Sequence, residues 1–222
     1  EATAPLTYFM HRLQIHNEET IVELACLDLE GVLIPEIWIK FAEKTGIEAL
    51  KATTRDIPDY DELMTMRLGE LEKAGLGLNE IQEVISTLSP LDGAAEFLDW
   101  LRARFQVIIL SDTFYEFAGP LMKQLGYPTL LCHKLTVDAN GKVTDYNLRQ
   151  ANPKRQCIAA FKTLYYRTIA AGDSYNDTTM LAEADRGILF NAPQNVIEEF
   201  PQFPAVHSYD DLKKAFIEAS VR

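Results

Sequence analysis

The chain has 222 residues, of which 47% are hydrophobic, enough for one domain with a sizeable core or one domain with a small insertion. Its formal net charge of −12 argues against nucleic-acid binding, which needs clustered Lys and Arg to neutralise phosphates. No apolar run approaches the roughly 20 residues of a membrane span, and the three cysteines, without a Cys-x-x-Cys pair, fit a reducing cytoplasm.

Residues 1–20 are polar and lack the apolar core of a signal peptide, so we expect an N-terminal arm outside the folded domain. From residue 21 onward, short apolar runs alternate with helical periods. The runs are typical of buried parallel strands. We predict strands at residues 21–27, 107–110, 168–171, 187–190 and 204–207.

Between these strands the hydrophobic spacing is helical. Apolar residues at 94, 97, 98 and 101 follow one helix face, with Asp92 placed to cap it. Pro153 is a favourable first-turn residue for a later helix. Alternating strands and helices predict an α/β fold with a Rossmann-like parallel sheet covered by helices on both faces. Residues 21–35 and 89–222 would form this core.

Two segments interrupt the alternation. Residues 36–88 show helical patterns, such as the apolar positions 81, 84, 85 and 88, and predict a small helical cap inserted after the first strand. Residues 130–148 contain Asn140-Gly141 between two alternating stretches. Asn-Gly favours a type I′ turn, so we predict a β-hairpin there.

Acidic residues follow three of the predicted strands. Asp28 ends the first, Ser111-Asp112 the second and Asp173 the third. Ligands of open parallel sheets bind beyond the carboxyl ends of the strands, so these side chains are expected to share one crevice. In Asp28-x-Glu30, one carboxylate can attack phosphorus while the other moves a proton. Taken alone, this short motif is also typical of a solvated turn.

The segment GDSYND at residues 172–177 offers oxygen ligands for a hard cation such as Mg²⁺, through Asp173 and Asp177. Alone, it is equally typical of a capped helix start. Ser111 and the amides after it can bind phosphate oxygens. Lys154, which follows Asn152-Pro153, can contribute a positive charge. Together these groups predict a magnesium-dependent site for phosphoryl transfer.

Four motifs, DLEGV (28–32), LSD (110–112), PK (153–154) and GDSYND (172–177), resemble the signatures of the haloacid dehalogenase superfamily. The resemblance runs from about residue 21 to the C-terminus. Within the superfamily, the stretches DLEGVLIPEIWIKFAEKTGI, ATTRDIPDYDELM, ILSDTFYEF and AAGDSYNDTTML are similar to phosphoserine phosphatases. They are most similar to bifunctional ones that also transfer phosphate to homoserine.

The resemblance implies that Asp28 is the nucleophile and a magnesium ligand. Glu30 would be the general acid/base, at a position where the superfamily usually has aspartate. Its backbone carbonyl and the Asp173 side chain would complete the protein's direct metal contacts. Asp177 would bind the metal through water or orient the site.

The resemblance also implies a set of substrate contacts. Glu36 would recognise the substrate ammonium and Arg67 its carboxylate, with Arg55 as a nearby alternative. On sequence alone, both charges are also typical of a solvated helix face. The groups expected to hold the phosphate or the substrate are Ser111, Asp112, Lys154 and Asn176.

The resemblance therefore implies a phosphoserine phosphatase that works through an aspartyl-phosphate and also transfers phosphate to homoserine. It would act in the cytoplasm, without nucleic-acid or membrane partners, and a homodimer is possible. Two alternatives remain at this point. The substrate could be another small phosphomonoester, or the chain could be an inactive phosphate-binding module.

Overall fold

A computed structural model describes residues 21–53, 56–57 and 59–222. The predicted arm at residues 1–20 and the alternative substrate ligand Arg55 lie outside the described residues. The described part contains a seven-stranded sheet. Its strands are β1 (Glu23–Leu27), β2 (Gln106–Phe114), β3 (Thr129–Val137), β4 (Val143–Asn147), β5 (Arg167–Gly172), β6 (Arg186–Phe190) and β7 (Ala205–Val206).

The sheet has the order β4-β3-β2-β1-β5-β6-β7. All neighbouring strands are parallel except β3 and β4, which form the antiparallel hairpin. Strand β1 therefore lies in the middle, between β2 and β5. The chain builds one side of the sheet first and then crosses to the other side of β1, which creates a topological switch point at the carboxyl end of β1.

Helices pack on both faces of this sheet, as predicted. Alternate residues of β1 explain the two layers: Ala25 and Leu27 join one hydrophobic cluster, whereas Leu24 and Cys26 join the other. The α-helices are α1 (Ile37–Thr45), α2 (Tyr60–Lys73), α3 (Leu78–Ser86), α4 (Ala94–Arg102), α5 (Tyr115–Gln124), α6 (Pro153–Thr163), α7 (Thr178–Glu183), α8 (Gln194–Glu199) and α9 (Tyr209–Ala219). Within the described residues, no helix is long and apolar enough to cross a membrane.

The segment between β1 and α4 is helical, as predicted. It contains α1, a 3₁₀ turn at Glu48–Lys51, α2 and α3. Phe41 of α1 and Ile85 of α3 belong to the same hydrophobic cluster as Leu27 of β1. The inserted helices thus share one continuous core with the sheet. The boundary of a separate cap at residues 36–88 stays a prediction.

Two local expectations were wrong. Helix α4 is preceded by Gly93 in a left-handed conformation (φ 84°), so Asp92 is not its N-cap. The hairpin turn is not type I′, because Gly141 has a positive φ of 82° but Asn140 does not, and a type I′ turn needs both. Instead, the Asp138 side chain accepts the N–H groups of Asn140 and Lys142 and closes a longer loop.

Candidate active site

The carboxyl ends of the central strands enclose a cavity of about 390 Å³. Asp28 follows β1, Ser111 and Asp112 lie near the end of β2, and Asp173 follows β5. Nearly all the residues singled out from the sequence line this cavity, which brings together groups from distant parts of the chain. They are Asp28, Glu30, Glu36, Arg67, Ser111, Asp112, Lys154, Asp173 and Asn176.

Lys154 lines the cavity from the first turn of α6 and is only 4% exposed. Its Nζ lies 3.0 Å from Asp28 Oδ1, 3.2 Å from Asp112 Oδ2 and 2.8 Å from Asp177 Oδ1. Burial alone would lower the pKa of Lys154, but these carboxylates raise it well above its usual value. The side chain is therefore a permanent cation next to the predicted nucleophile.

Asp28 is held in place by main-chain contacts. Its N–H donates to the carbonyl of Ala171 at 2.9 Å, and its Oδ1 accepts the N–H of Leu29 at 2.7 Å. Burial and the nearby Asp177 raise the pKa of Asp28 well above its usual value, whereas Lys154 lowers it. A second positive charge in the site would favour the ionised form that a nucleophile needs.

The residues present fit a divalent cation. Carboxylate oxygens of Asp28, Asp173 and Asp177 lie within 4.8 Å of one another. Burial and Asp177 raise the pKa of Asp173 to about 7, a sign of negative charge that is not fully compensated. Hard oxygen donors of this kind suit Mg²⁺.

Asp177 already has partners for both of its oxygens. Oδ1 accepts from Lys154, and Oδ2 accepts the N–H groups of Asp173 and Ser174 at 2.9 Å and 3.1 Å. Its side chain is fully buried beneath the cavity. This arrangement favours the indirect or orienting role expected for Asp177 and leaves Asp28 and Asp173 as the more available direct ligands.

Two glycines make this crowding possible. Gly31 has a φ of 76°, and a Cβ at this position would lie 2.2 Å from Asp173 Oδ2. A Cβ on Gly172 would lie 2.4 Å from Asp177 Cγ. Any side chain at either position would therefore displace an acid of the predicted metal site.

Glu30 lies in the segment that follows β1, and its Oε2 accepts the N–H of Ile37, the first residue of α1, at 2.9 Å. Burial and the neighbouring Glu36 raise the pKa of Glu30 to about 8, although hydrogen bonds from Ile37 and Thr113 lower it in part. A carboxyl group with a pKa near neutrality can both donate and accept a proton at physiological pH. The position and the pKa agree with the acid/base role expected for Glu30.

Arg67, on α2, is a second cation among the residues that line the cavity. It is 7% exposed, and its guanidinium lies 4.6 Å from the centre of the Trp38 ring. Nη2 donates to the Ala52 carbonyl at 2.9 Å, but Nε has no hydrogen-bond partner among the described residues. Within that part of the chain, no carboxylate forms an ion pair with Arg67. Its unused donor capacity therefore suits a carboxylate ligand.

Glu36 takes the N-cap position of α1 without a capping hydrogen bond from its side chain, and it is exposed at the rim of the cavity. Glu36 and Arg67 thus give the cavity one anionic and one cationic side chain besides the group of acids around Lys154. That combination is complementary to an amino acid that carries both an ammonium and a carboxylate.

Sequence reasoning missed three contributors. Thr113 lies two residues after Ser111 on β2 and reaches Glu30, which strand periodicity could have indicated. Trp38, on α1, places its ring against the guanidinium of Arg67. His133 approaches Asp112, with Nε2 3.7 Å from Oδ1. No sequence signal indicates this last contact, because it depends on the register between β2 and β3.

A sequence profile of the haloacid dehalogenase-like hydrolases matches residues 22–185. The match covers well over half of the chain, which therefore belongs to the haloacid dehalogenase-like hydrolase family. The chain is 72% identical over 201 residues to phosphoserine phosphatase ThrH of Pseudomonas aeruginosa, covering 90% of this chain and 98% of that protein. It is 68% identical over 222 residues to a phosphoserine phosphatase of Pseudomonas syringae pv. tomato, covering 100% and 92%. The resemblance indicated by the four motifs is thereby confirmed.

Solved structures confirm the fold. A phosphoserine phosphatase with an analogue of its phospho-aspartyl intermediate superimposes with a TM-score of 0.71 and 21% identity, covering 88% of this chain and 99% of that chain. An apo form of phosphoserine phosphatase gives a TM-score of 0.70 and 21% identity, covering 86% and 98%. The predicted α/β architecture is therefore correct.

Proposed function

We propose that this protein is a magnesium-dependent phosphoserine phosphatase that forms an aspartyl-phosphate on Asp28 and also transfers the phosphate to homoserine. The observation that carries the proposal is the contact of Lys154 with Asp28 in a cavity that Arg67 also lines, where the Nε of Arg67 has no hydrogen-bond partner among the described residues. The names of the two Pseudomonas relatives supply the substrate.

In the first half-reaction, a carboxylate oxygen of Asp28 attacks phosphorus, and the bond from phosphorus to the seryl oxygen breaks. Glu30 gives its proton to that oxygen, so serine leaves as a neutral alcohol. Lys154 and Ser111 hold the phosphoryl oxygens, with Lys154 offsetting their charge.

In the second half-reaction, the same Glu30 carboxylate takes a proton from water or from the hydroxyl of homoserine. The activated oxygen attacks phosphorus, and Asp28 is released as a carboxylate. The products are inorganic phosphate from water and phosphohomoserine from homoserine. Bound Mg²⁺, held by Asp28, Asp173 and the Glu30 carbonyl with support from Asp177, would neutralise the phosphoryl charge.

Substrate recognition would depend on two charged groups that line the cavity, Glu36 and Arg67. Arg67 would bind the α-carboxylate with its free donors, and Glu36 would bind the α-ammonium. Serine and homoserine share this amino-acid head, so the same contacts can serve the departing serine and the arriving acceptor. Asp112 and Asn176 would complete the binding wall.

The alternatives from the sequence are weaker on this geometry. A phosphate-binding module has no need for a proton donor such as Glu30, whose pKa is raised to about 8 beside the nucleophile. Another phosphomonoester would not need both Glu36 and Arg67. The cytoplasmic location and the homodimer stay predictions.

The test is to incubate the protein with phosphoserine and Mg²⁺, with and without homoserine, and to resolve the products by phosphorus NMR. We expect phosphate in both reactions and phosphohomoserine only in the second. Asp28→Asn should abolish both products, while Arg67→Lys should raise KM for phosphoserine more than it lowers kcat. Lys40→Gln, at an exposed position of α1, is the matched control.

Phosphate without phosphohomoserine would reduce the proposal to a simple phosphatase. Neither product, or full turnover by Asp28→Asn, would contradict it. A broad panel of phosphomonoesters that contained a much better substrate than phosphoserine would reassign the specificity.

A further inference from the structure

We propose that His133 is a positioning residue for this site: its imidazole, as the Nε2–H tautomer, holds Asp112 so that Asp112 fixes Lys154 against the nucleophile. The inference rests on the proposed function, because it concerns the lysine that would stabilise the transferred phosphoryl group. The proposal is argued from two contacts of the His133 imidazole and two contacts of the Asp112 carboxylate.

The backbone determines which nitrogen of His133 carries the proton. His133 lies on β3 and is 3% exposed. Its Nδ1 accepts the backbone N–H of Arg149 at 3.0 Å, and a nitrogen that accepts a hydrogen bond carries no proton. In the neutral ring the proton is therefore on Nε2, the nitrogen that faces Asp112 Oδ1 at 3.7 Å. The backbone thus selects the tautomer that presents a donor to the acid.

His133 and Lys154 orient the carboxylate of Asp112. Its two carboxylate oxygens face different partners, Oδ1 towards His133 and Oδ2 towards Lys154 Nζ at 3.2 Å. The Asp112 side chain is 37% exposed, unlike Asp28 and Asp177, which are 8% and 0% exposed. It is therefore the one of the three lysine partners that solvent can compete for, and His133 restrains it.

The contact with Asp112 restricts the position of the Lys154 ammonium. Asp28 and Asp177 alone would leave its ammonium free to swing about the line between them. Asp112 adds a third contact, and three contacts fix the position of Nζ and direct its N–H bonds. A catalytic cation that is preorganised in this way need not reorganise as charge develops on the phosphoryl group.

Strand pairing explains how His133 reaches the site. Leu110 of β2 pairs with Leu131 of β3, but the next pair is Phe114 with His133. Three residues of β2 therefore bulge out opposite a single residue of β3, and Asp112 is in the middle of them. Arg149 adds a second connection, since its Nη2 lies 3.0 Å from Cys157 Sγ on α6, the helix that carries Lys154.

The kinetic test compares His133→Phe, which removes both imidazole nitrogens, with His133→Gln, whose amide can still donate towards Asp112. We expect His133→Phe to lower kcat for phosphoserine by about 10- to 100-fold, as loss of an outer-shell contact does at other catalytic sites, with little change in KM. His133→Gln should recover most of the loss. Cys132→Ala, at the preceding buried position of β3, is the control and should keep wild-type kcat.

A double-mutant cycle separates positioning from a merely structural role. Asp112→Asn should reduce kcat by a similar factor, and combining it with His133→Phe should cause little further loss, because both changes break one chain of contacts. Losses that multiply independently would overturn the proposal. So would a His133→Gln enzyme as slow as His133→Phe while both remain folded by circular dichroism.

The tautomer can be read without any substrate. Long-range proton–nitrogen NMR of the labelled full chain, with His133→Gln used for assignment, should show His133 protonated on Nε2 and bare on Nδ1. A proton on Nδ1 would overturn the proposal, whatever the activity. The tautomer also distinguishes failure of the proposed function from failure of the role of His133. A chain that does not turn over phosphoserine can still show the Nε2–H tautomer. An active chain with the other tautomer refutes only the role of His133.

Discussion

At the scale of single residues, the site is defined by an excess of carboxylates over cations. Lys154 contacts three acids, yet the pKa values of Asp28, Asp173 and Glu30 are all raised. Burial is the main cause in each case, and neighbouring acids add to it. Such charge crowding costs folding free energy and is typical of sites shaped for chemistry.

Glu30 offers a direct measure of that cost. Its pKa is about 8 in the metal-free folded protein but about 4.3 for an exposed glutamate. The folded state therefore binds the proton more tightly, and stability falls as pH rises between these values. The glutamine of Glu30→Gln cannot ionise. In EDTA near pH 9, we therefore expect this variant to unfold at a higher temperature than the wild type. The difference in unfolding temperature should shrink towards pH 5.

For a chain of this size, each 1 kcal/mol corresponds to about 2–4 °C in unfolding temperature, which calorimetry resolves easily. Glu43→Gln, on the exposed side of α1, is the control and should show no growing advantage with pH. An equal effect of Glu30→Gln at both pH values would contradict the raised pKa.

The residues that meet in the cavity could be predicted because the acids lie at or just after the ends of apolar runs in the sequence. Asp28, Asp112 and Asp173 needed only the rule that parallel strands end at one edge. The role of His133 could not be predicted, since its contact with Asp112 depends on which residues of β2 and β3 are paired. A single sequence shows no register.

At the scale of elements, the bend after β1 determines whether the site can form. Gly31 adopts a φ of 76° and lies so close to Asp173 that a Cβ would overlap the carboxylate. Gly46, after α1, has a similar φ of 73°, but nothing lies within 4 Å of its Cβ position. Replacing either glycine by alanine would therefore strain the backbone to a similar extent. Only at Gly31 would the added methyl group collide with another residue.

We expect Gly31→Ala to lose phosphatase activity and magnesium binding, because Asp173 must move. Gly46→Ala should cost a comparable backbone penalty of about 1 kcal/mol but keep both functions. The measurements are kcat with phosphoserine, isothermal titration with Mg²⁺ and thermal unfolding. An inactive Gly46→Ala would show that general strain, rather than the contact with Asp173, causes the loss.

Element types were easier to predict than element ends. Strand β2 was predicted to stop at residue 110, where the apolar run ends, but it continues to Phe114 through three polar residues. The strand continues past them because pairing with β3 resumes between Phe114 and His133, a tertiary effect that hydrophobic periodicity does not contain. The Asp138 side chain likewise organises the hairpin loop in place of the expected Asn-Gly turn.

At the scale of the whole molecule, the two ends of the sheet differ in how far their buried acids are compensated by positive charge. At the amino end of β1, the buried Glu23 is satisfied by Arg167 at 2.9 Å and by the N–H of Val221 at 3.1 Å, which ties the C-terminus to the sheet. At the carboxyl end, Asp28 and Asp173 remain undercompensated. The buried acid at the amino end is thus fully paired, whereas the acids at the carboxyl end, where a cation and a phosphate would bind, are only partly compensated by Lys154.

This asymmetry predicts that the proposed binding of magnesium depends on pH. A cation must displace the proton from Asp173, whose pKa is about 7 in the metal-free protein, and Asp28 is raised as well. Asp173 is mostly protonated near pH 6 and mostly ionised near pH 8. We therefore expect the apparent affinity for Mg²⁺ to be about tenfold weaker or more at pH 6, because each pKa unit corresponds to a factor of ten.

The measurement is isothermal titration of the chelator-treated protein with Mg²⁺ at both pH values, supported by the rise in unfolding temperature at a fixed Mg²⁺ concentration. Binding favours the folded state, so the thermal shift should be larger at pH 8. Asp173→Asn should remove the shift, whereas Asp99→Asn, an exposed acid on α4, should keep it. If Mg²⁺ stabilised the protein equally at pH 6 and pH 8, or still bound to Asp173→Asn, the acids at the carboxyl end would not be its ligands. The negative charge of these acids would then have to be compensated by a cation other than Mg²⁺.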